Sequence, residues 1–335
     1  MDAQGSAKTI IATMNRIDRA TKKALRERQR KERATTRRST APELAARYDA
    51  LFETLTRIHC VKYERLDWND IAGAGMVEPA VRANALEQKA RRALANYQPG
   101  LIDGLFGLGQ DRRRALAEKV LEAAKKDAEI YARAKRAADV HNLDVSLAAG
   151  VLALDISAIE QSLKAHVPAA ELAPVLEGLG VHMPSPGRLV VYLDALEFDA
   201  IPDEAVELGE AGRSVYVALP PEVRQEMHLA CVCSATLRVA AEIMTVVPLD
   251  VIDVVARSFL PTSRGDVEQQ PVVHVKVPHQ ALKAMDLRRL EPVSTITALG
   301  GRIDWESDRG FAPIRIDDLK LTAPKPPPAS QTAAA

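Results

Sequence analysis

The sequence predicts an α+β protein: a helical, partly coiled-coil-like N-terminal half, then a mostly antiparallel sheet packed on one long apolar helix. Three observations carry this. Up to about residue 182, apolar residues recur every three or four positions in Ala-, Arg-, Lys- and Glu-rich sequence, the period of a helix. Beyond it, Val-rich runs alternate with period two between turns bearing Pro and Gly, the pattern of strands. The stretch His228–Leu260 joins the two signatures. Its period switches near Pro248 from helical to strand-like, which marks it as the core of the second half.

Residues 6–38 read as one basic helix, with Ile10, Ile11, Met14, Ile17, Ala20 and Ala24 forming a narrow apolar stripe. A Thr/Arg/Ser cluster at 35–39 breaks it. A second helix starts near Pro42, capped by Ser39 or Thr40, and carries Leu44, Tyr48, Leu51, Leu55 and Ile58 at helical spacing. Asp67 is placed to cap a short helix whose Trp68 packs inward, and 73–79 form a loop. From 81 to about 138 the composition predicts two antiparallel helices, with breaks at 97–100 and 104–107. Segments 143–166 and 169–179 make a third helical pair.

In the second half, 187–199 and 213–220 read as strands. A helix starts at Pro220 and Pro221 and ends before Pro248, which has no N–H to continue the hydrogen-bond ladder. Segments 250–260 and 269–278 are two more strands, and short helices occupy 279–290 and the region after Pro292. The Pro- and Ala-rich end reads as a disordered or polyproline II tail. The expected organisation is a basic helical arm (1–40), a helical region (41–182), an α+β domain (183–320) and a tail (321–335).

The net charge of the 335 residues is zero, but the signs are separated. Residues 1–40 hold twelve Lys/Arg against four acids, so the arm carries +8 and the remainder −8. That asymmetry points to an anionic partner for the arm. Three cysteines without an even framework, and an N-terminus without an apolar signal core, are the expectation for a reducing cytoplasm. Leu229–Leu249 is long enough to span a bilayer. Arg238 and Glu242 fall near its middle, where charges cost several kcal/mol in lipid, and at i and i+4 a helix pairs them. A buried soluble helix with a structural Arg238–Glu242 pair is therefore expected, with no transmembrane segment.

Chemistry-bearing constellations are sparse. Cys231 and Cys233 point to different faces of a helix and read as core residues rather than metal ligands. His59 and Cys60 are adjacent on a helix and do not face one another. A metal-dependent nuclease would need a Glu/Gln-x-Lys strand. Here His274 stands two before Lys276, and only convergence of Glu268, Asp253, His274 and Lys276 in a cleft would support hydrolysis. No G-x-G-x-x-G, P-loop, G-x-S-x-G or H-E-x-x-H occurs. No catalytic residue, metal site or cofactor is assigned. The binding candidates are Arg16, Arg19, Lys22, Lys23, Arg26, Arg30 and Lys31 of the arm, where clustered cations suit a polyanion. No aromatic residue accompanies them, which weakens base stacking.

Several segments carry a family resemblance: IHCVKYERLDWNDI (58–71), ALANYQPGLIDGLFGLGQDRR (93–113), HLACVCSATLRVAAEIMTVVPLDVIDVVA (228–256), VEQQPVVHVKV (267–277) and RGFAPI (309–314). On these the chain resembles a bacterial family of unknown function with a charged helical N-terminal half and a C-terminal α/β domain. The resemblance implies that architecture and a bacterial, cytoplasmic origin, and no activity. After Val275 the family's aromatic-rich run is replaced here by VPHQALKAMDLRRLEP.

The expectation is a non-enzymatic binding or assembly protein, with a protein partner or self-association, and nucleic acid as a candidate ligand of the arm. The alternative is a hydrolase or nuclease acting on nucleic acid, or an accessory subunit of a phage-defence system.

Overall fold

The computed structural model describes residues 41–78, 81–98, 109–185, 187–209, 214–261 and 266–316. The arm candidates Arg16, Arg19, Lys22, Lys23, Arg26, Arg30 and Lys31, and the tail from 321, lie outside the described residues. Contacts divide the chain into two units: residues up to Leu66 together with those from His166 onward, and Asp67–Ala165. The boundary expected between 182 and 183 falls inside the strand Leu176–Ser185, and by contacts the helix before Leu66 groups with the sheet.

The helical unit contains α2 (Trp68–Gly73), α3 (Ala85–Ala95), the 44-residue α4 (Gly109–Leu152) and α5 (Ile156–His166). Asp67 caps α2 by accepting from the N–H groups of Asn69 and Asp70, and Trp68 is buried. The first turn of α3 leaves backbone N–H groups without intrahelical partners. Asp127, buried on α4, accepts from two of them, Leu86 at 3.3 Å and Glu87 at 2.9 Å. Its negative charge also opposes the positive end of the helix dipole. Asn142 holds the preceding loop by two bonds to the backbone of Val77, at 2.8 and 2.9 Å.

No helix break separates 138 from 143, as the third-pair reading required; α4 runs through without Pro. It ends where Leu154 adopts φ 57°, a left-handed conformation that stops a helix. Asp155 then caps α5. Gly150 is demanded by that turn, because a Cβ there would lie 2.7 Å from the Ala158 Cβ.

The other unit is built on a five-stranded sheet in the order β1-β2-β5-β6-β7, with β1 Leu176–Ser185, β2 Arg188–Ala195, β5 Val251–Pro261, β6 Val267–Pro278 and β7 Arg302–Ile303. β2 and β5 are parallel and the other three ladders antiparallel, so the sheet is mixed. The parallel pair follows from the long connection between them. It contains the hairpin β3 (Glu204–Leu208) and β4 (Ser214–Ala218), then α7 (Pro221–Val246).

Helix α7 lies against β2, β5 and β6, and α1 (Ala41–Arg57) packs on α7 and on the hairpin. Along α7, His228, Leu229 and every residue from Cys231 to Ala241 are buried. Among the described residues it is the one helix long and apolar enough to cross a membrane, and here those residues form the core of the unit. The short helices α6 (Ala169–Leu172), α8 (His279–Ala284) and α9 (Pro292–Ala298), with the hairpin β8 (Trp305–Glu306) and β9 (Gly310–Phe311), complete it.

The sequence marks four of the nine strands among the described residues; β1, β3 and the two-residue β7, β8 and β9 are not legible in it, the last three because two residues carry no period. β1 was expected as the end of a helix, because Gly178 and Gly180 interrupt its Leu/Val pattern. β3 is five residues long and three of them are acidic or Ala, so only its partner β4 stands out.

Candidate functional site

The two faces of the sheet differ. Leu189, Val191 and Leu193 of β2, Ile252, Val254 and Ala256 of β5, and Val273, Val275 and Val277 of β6 are buried on the face that α7 covers. Directly paired residues share a face, so the registers set out the other one as rows. His182, Val190, Asp253 and Lys276 form the first; Gly180, Tyr192, Val255, His274 and Arg302 the second; Gly178, Asp194 and Arg257 the third. This second face collects titratable groups that lie far apart in sequence.

Its centre is a buried polar pair. His274 Nε2 donates to Asp253 Oδ1 at 2.9 Å, and Arg188 Nε donates to Asp253 Oδ2 at 3.3 Å. Both Asp253 and His274 are buried. Burial alone would raise the Asp253 carboxyl, but the bonds from His274 and Arg188 outweigh it and hold it below the usual carboxylate range. Beside it, Arg257 places Nε at 2.9 Å and Nη2 at 2.6 Å from one oxygen of Asp194. Its guanidinium stands 5.3 Å from the Tyr192 ring centre. Burial pushes the Tyr192 hydroxyl up. Val190 and Val255 form an apolar floor against which Ile316 packs. The segment leading to Ile316 is anchored by Ile314 N–H to Pro271 O at 2.9 Å.

Of the four residues the hydrolytic alternative required, three share this face and Glu268 does not. Glu268 pairs with Leu260 six residues before His274, roughly 20 Å along the strand at about 3.3 Å per residue. Among the described residues no group of three or more His, Cys, Asp or Glu is placed to hold a metal. The sequence reading had singled out Asp253, His274 and Lys276 but not Arg188, Asp194, Tyr192 or Arg257. Alternation of polar with apolar residues in RLVVYLDA and DVVAR was the available signal.

The glycines of β1 frame the site. A Cβ at Gly178 would sit 2.6 Å from Asp194 Oδ2, whereas one at Gly180 meets nothing within 4 Å. Gly178→Ala is therefore expected to displace the Asp194 carboxylate from Arg257 and lower stability by about 1–3 kcal/mol, as overpacking does. Gly180→Ala is expected to leave the urea midpoint within about 0.5 kcal/mol of the parent's. Equal midpoints for the two variants would contradict this geometry.

Other candidate clusters are structural. Arg238 Nε donates to Glu242 Oε1 at 2.6 Å, Nη2 to Glu171 Oε2 at 2.8 Å and Nη1 to Ile58 O at 3.2 Å. Cys231 and Cys233 are buried on α7, and burial pushes both thiols up to about 12. They are inert by the thiolate criterion. Cys60, half-buried, is expected to be the thiol that reacts with Ellman's reagent in the native protein. Release of three equivalents before unfolding would refute that. His59 is buried: its backbone N–H donates to Ser234 Oγ at 3.2 Å, Nδ1 lies 2.7 Å from the same oxygen, and Nε2 lies 3.1 Å from Leu290 O. Leu290 O only accepts, so Nε2 carries the proton and the Ser234 hydroxyl donates to Nδ1. Ser234 is wholly buried and is no nucleophile.

The buried histidines set the acid limit. Burial lowers His59, despite a raising bond to Leu290, and lowers His228, whose Nε2 lies 2.8 Å from Leu196 O. In the fold both protonate at lower pH than in the unfolded chain, where the value is the usual one of about 6.5. The unfolded state then binds more protons. Stability contributed by these groups is present above that pH and is lost as pH falls below it. Loss from Asp253 follows only below about pH 4. The urea midpoint is expected to fall measurably between pH 7.5 and 5.5; a flat profile there would contradict the assignment.

No family model matches the chain, and neither a curated protein nor a solved structure matches it. The site is thus read from its own geometry.

Proposed function

We propose that this chain is a non-enzymatic binding and assembly protein of the bacterial cytoplasm, whose basic arm docks a polyanionic partner while the α+β unit is the module it presents. The observation that supports this is the separation of +8 on residues 1–40 from −8 on the remainder. Twelve clustered cations release counterions on meeting a polyanion, a favourable term that falls steeply with salt. Binding of labelled DNA, RNA and anionic liposomes by the chain and by a variant lacking residues 1–38 tests it. At low salt the intact chain is expected to bind at least about ten-fold more tightly, with the difference shrinking as salt rises. Unchanged binding at low salt sinks the proposal.

A second reading, a hydrolase acting on nucleic acid phosphodiesters, is favoured by the Asp253–His274 pair with Lys276 on the same face. An Asp that orients an imidazole is the arrangement of a general base. Cleavage of RNA or DNA that His274→Ala abolishes would support it. Absence of cleavage by the parent would dismiss it.

A further inference from the structure

The hairpin of β3 and β4 pairs with no strand of the five-stranded sheet, and α1 packs against it. A two-stranded ribbon is marginal in water by itself and gains stability from whatever covers its faces. Its register puts Val206 and Tyr216 on one face, and Ala205, Glu207, Val215 and Val217 on the other. Val206 is the one buried residue of the two strands, which places the cover on its face. On the opposite face Val215 and Val217 are 46% and 38% exposed, and Glu207 is exposed beside them. Edge strands in soluble proteins are blunted by Lys, Pro or a covering element. β4 reads Ser-Val-Tyr-Val-Ala and contains no blocking residue.

Charge and tether identify an occupant for this face. Residues 196–212 hold six acids and no Lys, Arg or His. Arg213 follows them, and Arg224 donates to the carbonyls of Ile201 and Pro202, so the balance stays negative. A second copy of the hairpin would bring like charge against like, which disfavours symmetric pairing. The basic arm has the complementary character. Ile10, Met14 and Ile17 fall at i, i+4 and i+7, one face of a helix, and residues 8–24 carry five Lys/Arg against one acid. The arm joins α1 at Ala41, and α1 itself packs on the hairpin. Ile17 lies 24 residues before Ala41, a length that spans roughly 25–30 Å as a flexible chain. Such a tether holds the arm near the hairpin at an effective concentration on the order of millimolar.

We propose that the Val215–Val217 face of the hairpin is the docking surface for the chain's own arm, residues 8–24, with the Ile10, Met14 and Ile17 stripe on the two valines and the arm's cations toward Glu207 and its acidic neighbours. The hairpin and a polyanion then compete for one segment, so the docked arm is held back until a polyanion displaces it. The competition rests on the polyanion-binding reading of the arm; the docking does not. Full-length chain with p-benzoylphenylalanine in place of Val215, irradiated at low salt without polyanion, tests the docking. Crosslinks within one chain to peptides between Thr9 and Arg19 are expected. The same probe in place of Val251, exposed elsewhere in the sheet unit, is expected to give none.

Labelled DNA added before irradiation is expected to remove most of the crosslink. The full-length triple variant Val215→Thr, Val217→Thr and Glu207→Gln keeps β-branched side chains on the strand and removes its apolar and acidic contacts. It is expected to bind DNA at least about three-fold more tightly than the parent, because the arm no longer has to leave the hairpin, while Val251→Thr changes nothing. The two proposals fail separately. A chain that binds no polyanion but crosslinks as described loses the polyanion reading and keeps the docking. No crosslink to the arm, crosslinks only between two chains, or equal crosslinking from positions 215 and 251 overturns the docking.

Discussion

Replacing Arg238 with methionine is expected to destabilise the sheet unit by about 3–5 kcal/mol, the cost of stranding one partner of a buried ion pair. The arginine is buried in the middle of α7 and serves three acceptors at once: Glu242, Glu171 and the carbonyl of Ile58. The three differ in consequence. Glu171 is largely exposed, at 66%, and regains water when the guanidinium leaves. Glu242, at 17%, does not, and the Ile58 carbonyl loses a bond that ties α1 to α7. Removing both charges, as Arg238→Met with Glu242→Leu, is expected to recover most of the loss, because well-packed apolar residues of similar volume substitute for buried ion pairs. Urea unfolding of the two variants checks this. If the double variant were no more stable than the single one, Glu242 would not be the group left stranded.

His59→Phe is the second large effect, expected at about 2–4 kcal/mol. The ring size is nearly kept, so the loss measures hydrogen bonding rather than a cavity. The Ser234 hydroxyl loses its acceptor and the Leu290 carbonyl loses its donor, and each buried orphan costs about 1–3 kcal/mol. His59→Phe with Ser234→Ala removes one orphan and is expected to return about 1 kcal/mol. The same substitution is expected to flatten part of the stability loss between pH 7.5 and 5.5, since one of the histidines that protonate on unfolding is gone. A variant as acid-sensitive as the parent would assign that loss elsewhere. The bonds matter for architecture as well, because His59 joins the end of α1 to α7 and to the segment before α9.

These two residues show what could and could not be read along the chain. Arg238 and Glu242 are four apart on one helix, so their pairing is a local geometric consequence and was anticipated. The third and fourth members, Glu171 and Ile58, are 67 and 180 residues away. Against the expectation that His59 and Cys60 do not face one another, both follow the helix Ala41–Arg57 and the Cys60 Sγ lies 3.8 Å from His59 Nε2, while the closer partners Ser234 and Leu290 are 175 and 231 residues distant. The sheet face repeats the pattern. Asp253, His274 and Lys276 attracted notice individually, but Arg188 lies 65 residues before Asp253 and enters only through the parallel pairing of β2 with β5. Glu268, close to His274 in sequence, is carried away from it because a strand extends about 3.3 Å per residue.

What the sequence determined by itself is what short-range periodicity encodes. The apolar helix from Pro221 to Val246, its stop before Pro248, the strands β5 and β6, the Asp67 cap and the α+β class all follow from interactions within a few residues. Tertiary structure alone decided the rest. It made β1 a strand despite two glycines, because pairing with β2 outweighs weak local propensity. It placed the helix before Leu66 with the sheet rather than with the helices that follow it in sequence. And it gathered Arg188, Tyr192, Asp194, Asp253, Arg257, His274 and Lys276 on one face, because strand order and register, not distance along the chain, set which side chains meet.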